Sequence, residues 1–318
     1  MPLQKLYVGY RTLVTSSGLS AITAVLSALL AKGDHLLIVE DAYGPTKSFC
    51  DNELKKFGVE IEYFTSDIAA DDFAKLVKEN TKLIFLESPG SINFKIQNIE
   101  AITNIAHSNN IITAIDNTWS AGIYLNSAAH NIDISIQSCS KYICGHSDII
   151  LGSITVNNSA HYQIMHDYIF RSGLRASPHD CYLALRGIRT LAVRLAQHQQ
   201  SALKIVEWLK EQKQIVKIIY PPAVEDAQHA LWQKYFTGGN GLLAIEFAKE
   251  YGKEQLVNLI DNLQIFKLGY SWGGYESLVM LYENSSPNSA DYMLRLHVGL
   301  EDVDDIIADL AQAFERCS

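Results

Sequence analysis

Six short runs rich in Ile, Leu and Val punctuate the first half of the chain: His35 to Glu40, Ile61 to Phe64, Lys82 to Glu87, Ile111 to Asp116, Ile132 to Ser138 and Ile149 to Val156. Amphipathic stretches such as Asp71 to Asn80 and Ile99 to Asn109 separate them, with apolar residues at helical spacing. That alternation is the rhythm of βαβ units, and it restricts the fold to an open α/β arrangement with a mostly parallel sheet. The runs are nearly continuous in apolar residues, as expected where helices cover both faces of a sheet.

After about Arg186 the pattern changes to long helical segments, Thr190 to Glu211 and Lys253 to Leu263, interleaved with strand-like runs such as Leu242 to Phe247. Val303 to Phe314 reads as an acidic amphipathic helix. The expected division is therefore a large α/β domain over residues 1–187 and a smaller α+β domain over 188–318. With 318 residues and 48% hydrophobic content, the chain is long enough to bury such a core. No Pro/Gly/Ser linker separates the halves, which predicts tight docking.

A formal charge of -9 argues against a nucleic-acid partner, because neutralising phosphates takes a basic stripe. The longest apolar stretch, Ala21 to Ala31, is interrupted by Thr23 and Ser27 and is too short for a bilayer span, so no membrane partner is expected. Met1 to Leu6 lacks the apolar core of a secretory signal, which makes a cytoplasmic setting the expectation. Cys50, Cys139, Cys144, Cys181 and Cys317 form no CxxC pair, which suits reduced structural thiols and not a disulfide framework or a metal site.

In open α/β sheets a ligand binds at the carboxyl ends of the strands, and four polar segments stand there. Thr15-Ser16-Ser17-Gly18-Leu19-Ser20 leads into an Ala/Leu-rich helix, where exposed N–H groups suit a phosphate; the same residues also make an ordinary helix cap. Asp116 ends a strand run and could hold a ring nitrogen protonated, or simply begin a loop. Tyr43 follows the run ending at Glu40 and could stack on a planar cofactor or pack a turn. Lys141 lies in Gln137-Ser138-Cys139-Ser140-Lys141-Tyr142, a strand-end amine flanked by hydroxyls and enclosed by apolar runs, which is what a Schiff-base cofactor with a phosphate needs.

Ser138-x-Ser140-Lys141-Tyr142-x-x-Gly145-His146-Ser147-Asp148 resembles the lysine signature of the pyridoxal-phosphate enzymes of cysteine and methionine metabolism. Ser17-Gly18, Ala42-Tyr43, Glu87 to Ser91, Asp116 to Trp119 and Leu294 to Asp302 resemble the same family in the same order, so the likeness covers essentially the whole chain. Tyr270 to Ser277 looks like the bacterial β-lyase version, since γ-type members usually carry Leu where Trp272 stands and Asn where Ser91 stands.

The resemblance implies the aspartate-aminotransferase-like fold (fold type I), pyridoxal 5'-phosphate as cofactor, and carbon–sulfur β-elimination on cystathionine in methionine biosynthesis. It implies Lys141 as Schiff-base lysine and proton shuttle, Tyr43 as the ring-stacking catalytic partner, and Asp116 at the ring nitrogen. Gly18, Leu19, Ser138 and Ser140 would hold the phosphate, Arg295 would grip the substrate carboxylate, and Ser271 and Trp272 would line the pocket. A homodimer or homotetramer is implied, with the active site between subunits.

Relatives begin several dozen residues earlier, with an arm carrying Tyr-x-Arg that reaches a neighbouring subunit's cofactor phosphate. Tyr7 and Tyr10-Arg11 match the segment after that motif, so the arm is expected to be missing and phosphate affinity to be lower. Alternatives at this level are a cysteine desulfhydrase, another cysteine-S-conjugate β-lyase, or a silent dimerising homologue. A serine hydrolase on Ser17 or Ser147 lacks the GxSxG elbow.

Overall fold

A computed structural model describes residues 9–283 and 290–317, the side chain of Cys317 excepted. Met1 to Leu6 and Tyr7, read above from sequence, lie outside the described residues, as does the Cys317 thiol.

Seven strands form the first sheet: β1 (Arg11–Thr15), β2 (His35–Val39), β3 (Glu60–Phe64), β4 (Thr81–Glu87), β5 (Ile112–Asp116), β6 (Ile134–Ser138) and β7 (Gly152–Val156). Their spatial order is β1-β7-β6-β5-β4-β2-β3. Every pairing from β6 through β3 is parallel, whereas β7 runs antiparallel to both β6 and β1. The sheet is thus mostly parallel, the expected α/β architecture. Strands β2 and β7 are buried at every residue, which accounts for the apolar run Leu36 to Val39 of β2, while β7 also buries Ser153 and Thr155.

The second sheet is β10-β11-β12-β9-β8, built from β8 (Ile215–Ile219), β9 (Leu242–Phe247), β10 (Lys267–Leu268), β11 (Leu278–Glu283) and β12 (Tyr292–His297). Only the β10–β11 pairing is parallel. Leu242 and Ala244 of β9 pack into the core around the first sheet, while Leu243, Ile245 and Phe247 point to the other side, with Leu256, Leu259, Ile306 and Leu310. Alternate residues of one strand therefore serve two cores.

The helix Leu191–Leu209 spans the junction: Leu191 and Leu195 belong to the first core, and Ala202, Ile205, Val206 and Leu209 to the second. The sequence division after residue 187 falls one residue before the end of the helix Pro178–Ile188. Cys50, Cys139 and Cys144 are buried free thiols, and Cys181 is half-buried and free. Among the described residues no helix is long and apolar enough to cross a membrane.

Candidate active site

β1 points the same way as β6, since both are antiparallel to the β7 between them, so the carboxyl ends of β1 to β6 share one edge of the first sheet. All four segments singled out above emerge there. Ser17 and Gly18 follow β1, Tyr43 follows β2, Asp116 ends β5, and Ser138 to Lys141 close β6.

The helix Gly18–Leu29 starts against the end of β6. Ser17 caps it by accepting the Ser20 N–H at 2.9 Å, and the Ser20 hydroxyl takes the Ser17 N–H at 2.8 Å. The N–H groups of Gly18 and Leu19, first in the helix, have no intrahelical acceptor and carry the positive end of its dipole. A Cβ on Gly18 would lie 2.6 Å from the Ser138 Cβ, so only glycine permits this approach. Gly18, Leu19 and Ser138 thus make a small cradle of donors. Ser140 is differently engaged: its hydroxyl takes the Leu151 N–H at 3.0 Å and reaches the Leu151 carbonyl at 3.3 Å, closing the segment that carries Lys141.

Asp116 is buried, and its Oδ1 accepts both the Thr118 N–H at 3.0 Å and the Thr118 hydroxyl at 2.5 Å. Thr118 Oγ1 in turn accepts the Ser138 N–H at 2.8 Å, coupling the ends of β5 and β6. Burial raises the Asp116 carboxyl, opposed by the Thr118 bonds and by Lys141.

Lys141 Nζ donates to Ser271 Oγ at 2.8 Å and stands 5.4 Å from the Trp272 ring centroid. Loss of water and the positive charge of Arg295 bring its pKa down to about 8, against the pull of Asp116. Arg295 is buried on β12, donating to the carbonyls of Tyr270 at 2.6 Å and Ser91 at 3.2 Å. Among the described residues no carboxylate forms an ion pair with it, so a guanidinium is held ready for an anion.

The turn after Ser271 is fixed from behind. Gly273 has φ of 84°, and a Cβ there would lie 2.7 Å from the Tyr142 backbone nitrogen. Its N–H donates to His297 Nε2 at 3.0 Å, and burial keeps His297 neutral enough to accept. Tyr142 packs between Trp272 and His297 at centroid distances of 5.6 and 5.8 Å. Tyr43, by contrast, is 45% exposed.

Sequence reasoning gave no role to Glu87 or Thr118, although both lie in quoted motifs. Glu87 ends an apolar strand run just as Asp116 does, and that shared pattern was the available signal. A reactive amine, a buried strand-end carboxylate and a cradle of N–H and hydroxyl donors at a helix N-terminus are a donor set that fits pyridoxal phosphate.

Residues 2–315 match the family model described as Cys/Met metabolism PLP-dependent enzyme. The chain belongs to that family. Cystathionine β-lyase of Escherichia coli K12 is 38% identical over 310 residues, covering 94% of this chain and 78% of that protein. An L-alanine/L-glutamate racemase of Wolbachia pipientis wMel is 34% identical, covering 96% and 77%. Crystalline cystathionine γ-lyase from Lactobacillus plantarum, complexed with L-serine, superposes with a TM-score of 0.93 at 27% identity, covering 99% of this chain and 84% of that one. The cofactor of the family is pyridoxal phosphate, and the fold is its type I α/β fold.

Proposed function

We propose that this family member is a carbon–sulfur β-lyase that splits cystathionine with water into homocysteine, pyruvate and ammonia. The observation that carries the reading is the Lys141 amine, its pKa brought down to about 8, bonded to Ser271 and near the Trp272 ring, with the Arg295 guanidinium ion-paired to no carboxylate among the described residues. The identity to a cystathionine β-lyase over most of the chain supports the choice of substrate.

Pyridoxal phosphate, when bound, supplies an aldehyde that exchanges amines and a ring that accepts the electron pair released at the substrate Cα. Gly18, Leu19 and Ser138 would hold its phosphate, with Ser140 keeping their neighbour segment closed, and Asp116 would hold the ring nitrogen protonated. Tyr43 would cover the ring face. Arg295 would grip the substrate α-carboxylate with two parallel N–H bonds. Lys141 in its neutral form takes the Cα proton, a step for which a pKa near working pH is favourable. Ser271, already bonded to the amine, would direct it, and Trp272 would line the pocket beside it.

Racemisation shares the Cα proton removal, and the Wolbachia relative gives that second reading its support. The deciding experiment adds pyridoxal phosphate to the purified chain and to Lys141→Ala, records absorbance before and after borohydride, and then assays products. A reducible band that needs Lys141, with pyruvate formed from cystathionine, supports the lyase. D-alanine from L-alanine without pyruvate favours the racemase, and a kcat/KM strongly favouring cysteine points to a desulfhydrase.

A second copy of the chain is the proposed partner, in a dimer or tetramer. Phe170, Tyr182 and Val193, on three consecutive helices, are 63%, 60% and 68% exposed, apolar side chains of the kind a subunit covers. The large domain would end near residue 187, and the chain would work in the cytoplasm.

A further inference from the structure

One buried carboxylate at the same sheet edge has no part in the chemistry above. Glu87 ends β4 directly beside Asp116 of β5 in the parallel register, and is 5% exposed. Its Oε2 accepts the Tyr43 N–H at 2.7 Å, and the Ser91 hydroxyl bonds to its Oε1. The carbonyl of that same Ser91 accepts from Arg295. Glu87 therefore touches both walls of the pocket: the turn that carries the Tyr43 ring, and the loop that backs the Arg295 guanidinium.

The two walls are joined a second time. Asp41 accepts from Asn93 Nδ2 at 2.5 Å and from Ser66 Oγ at 2.6 Å, and Gln97 Nε2 donates to Ser66 Oγ at 2.9 Å. No ion pair among the described residues includes Glu87.

We propose that Glu87 is a positioning residue that ties the Tyr43 turn to the Ser91 loop, and so sets the spacing between the ring-covering and carboxylate-gripping walls. The inference rests on the reading that this pocket takes the cofactor ring and an amino acid. The tie works uncharged. Two carboxylates at adjacent strand ends do not both ionise cheaply, and Asp116 has the two Thr118 donors and Lys141 to favour its charge. Glu87 has neutral donors only, and burial followed by Asp116 raises its carboxyl.

The test compares the unmodified chain with Glu87→Gln, Glu87→Ala and Ser91→Ala. It measures cofactor affinity by absorbance titration, then KM and kcat for cystathionine, with thermal melting to confirm folding. Glu87→Gln keeps an acceptor for Tyr43 and a donor for Ser91, so cofactor affinity and KM should stay within about 3-fold of the unmodified chain. Glu87→Ala strands the Tyr43 N–H, and cofactor affinity should fall on the order of 10-fold, with KM rising more than kcat falls. Ser91→Ala cuts only one arm, so KM should rise while cofactor affinity holds; this variant decides if Glu87→Ala does not fold.

Glu87→Gln as impaired as Glu87→Ala would mean that the charge matters, and would overturn the inference. So would Glu87→Ala that binds cofactor and substrate normally, or Ser91→Ala that loses cofactor affinity. If the unmodified chain shows no band that depends on Lys141, the cofactor reading falls and takes this inference with it, an outcome distinct from the others.

Discussion

At the scale of single residues, Arg295 and Asp116 act in opposite directions on Lys141. Burial and Arg295 favour the neutral amine, whereas Asp116 favours the charged one, and the balance at about 8 lies below the ordinary 10.5. The neutral form is the reactive one, so capture of pyridoxal phosphate by the cofactor-free chain should speed up as pH rises through about 8. Stopped-flow absorbance would read this, and a midpoint near 10.5 would contradict it. Arg295→Met removes the positive neighbour, which must move that midpoint upward. Arg295→Lys keeps the charge but not the fork, and KM for the amino acid should rise roughly 10-fold or more while cofactor affinity changes little. Lys141 stood out in the sequence as an enclosed strand-end amine flanked by hydroxyls, whereas Asp116 alone read equally as the start of a loop and Arg295 entered only through the family resemblance. Glu87 was not legible, because only the folded register reveals that it stands beside Asp116 and under Tyr43.

At the scale of elements, the start of the helix Gly18–Leu29 combines a fold requirement with a binding one. Ser17→Ala removes its cap and should cost about 1 kcal/mol, lowering the urea midpoint. Gly18→Val would push the helix start away from Ser138, so its larger effect should be on cofactor affinity, read by absorbance titration. Most strands of the first sheet could be read from their apolar runs. β1 could not: Arg11–Thr15 is a half-exposed edge strand with polar residues, and it declares itself only by pairing with β7. The reversal of β7 was equally hidden. It follows from what lies between Ser138 and Gly152, where the segment carrying Lys141 replaces the crossover helix that a parallel partner requires.

At the scale of the whole molecule, the exposed apolar residues on the helices Ser159–Ser172, Pro178–Ile188 and Leu191–Leu209 predict self-association. Phe170→Glu combined with Val193→Glu should lower the mass measured by light scattering, and an unchanged mass would move the subunit contact elsewhere. Tight docking of the halves was expected from the lack of a linker, but the part played by Leu242–Phe247 was not, because a run apolar except for Glu246 does not say which core each residue serves. Its consequence is mechanical. A strand whose two faces are both taken is a party wall, common to both rooms, and Arg295 is built on the strand next to it. Swinging one room against the other would uncover apolar side chains of that wall. The spacing of Lys141 and Arg295 should therefore follow the scaffold as a whole.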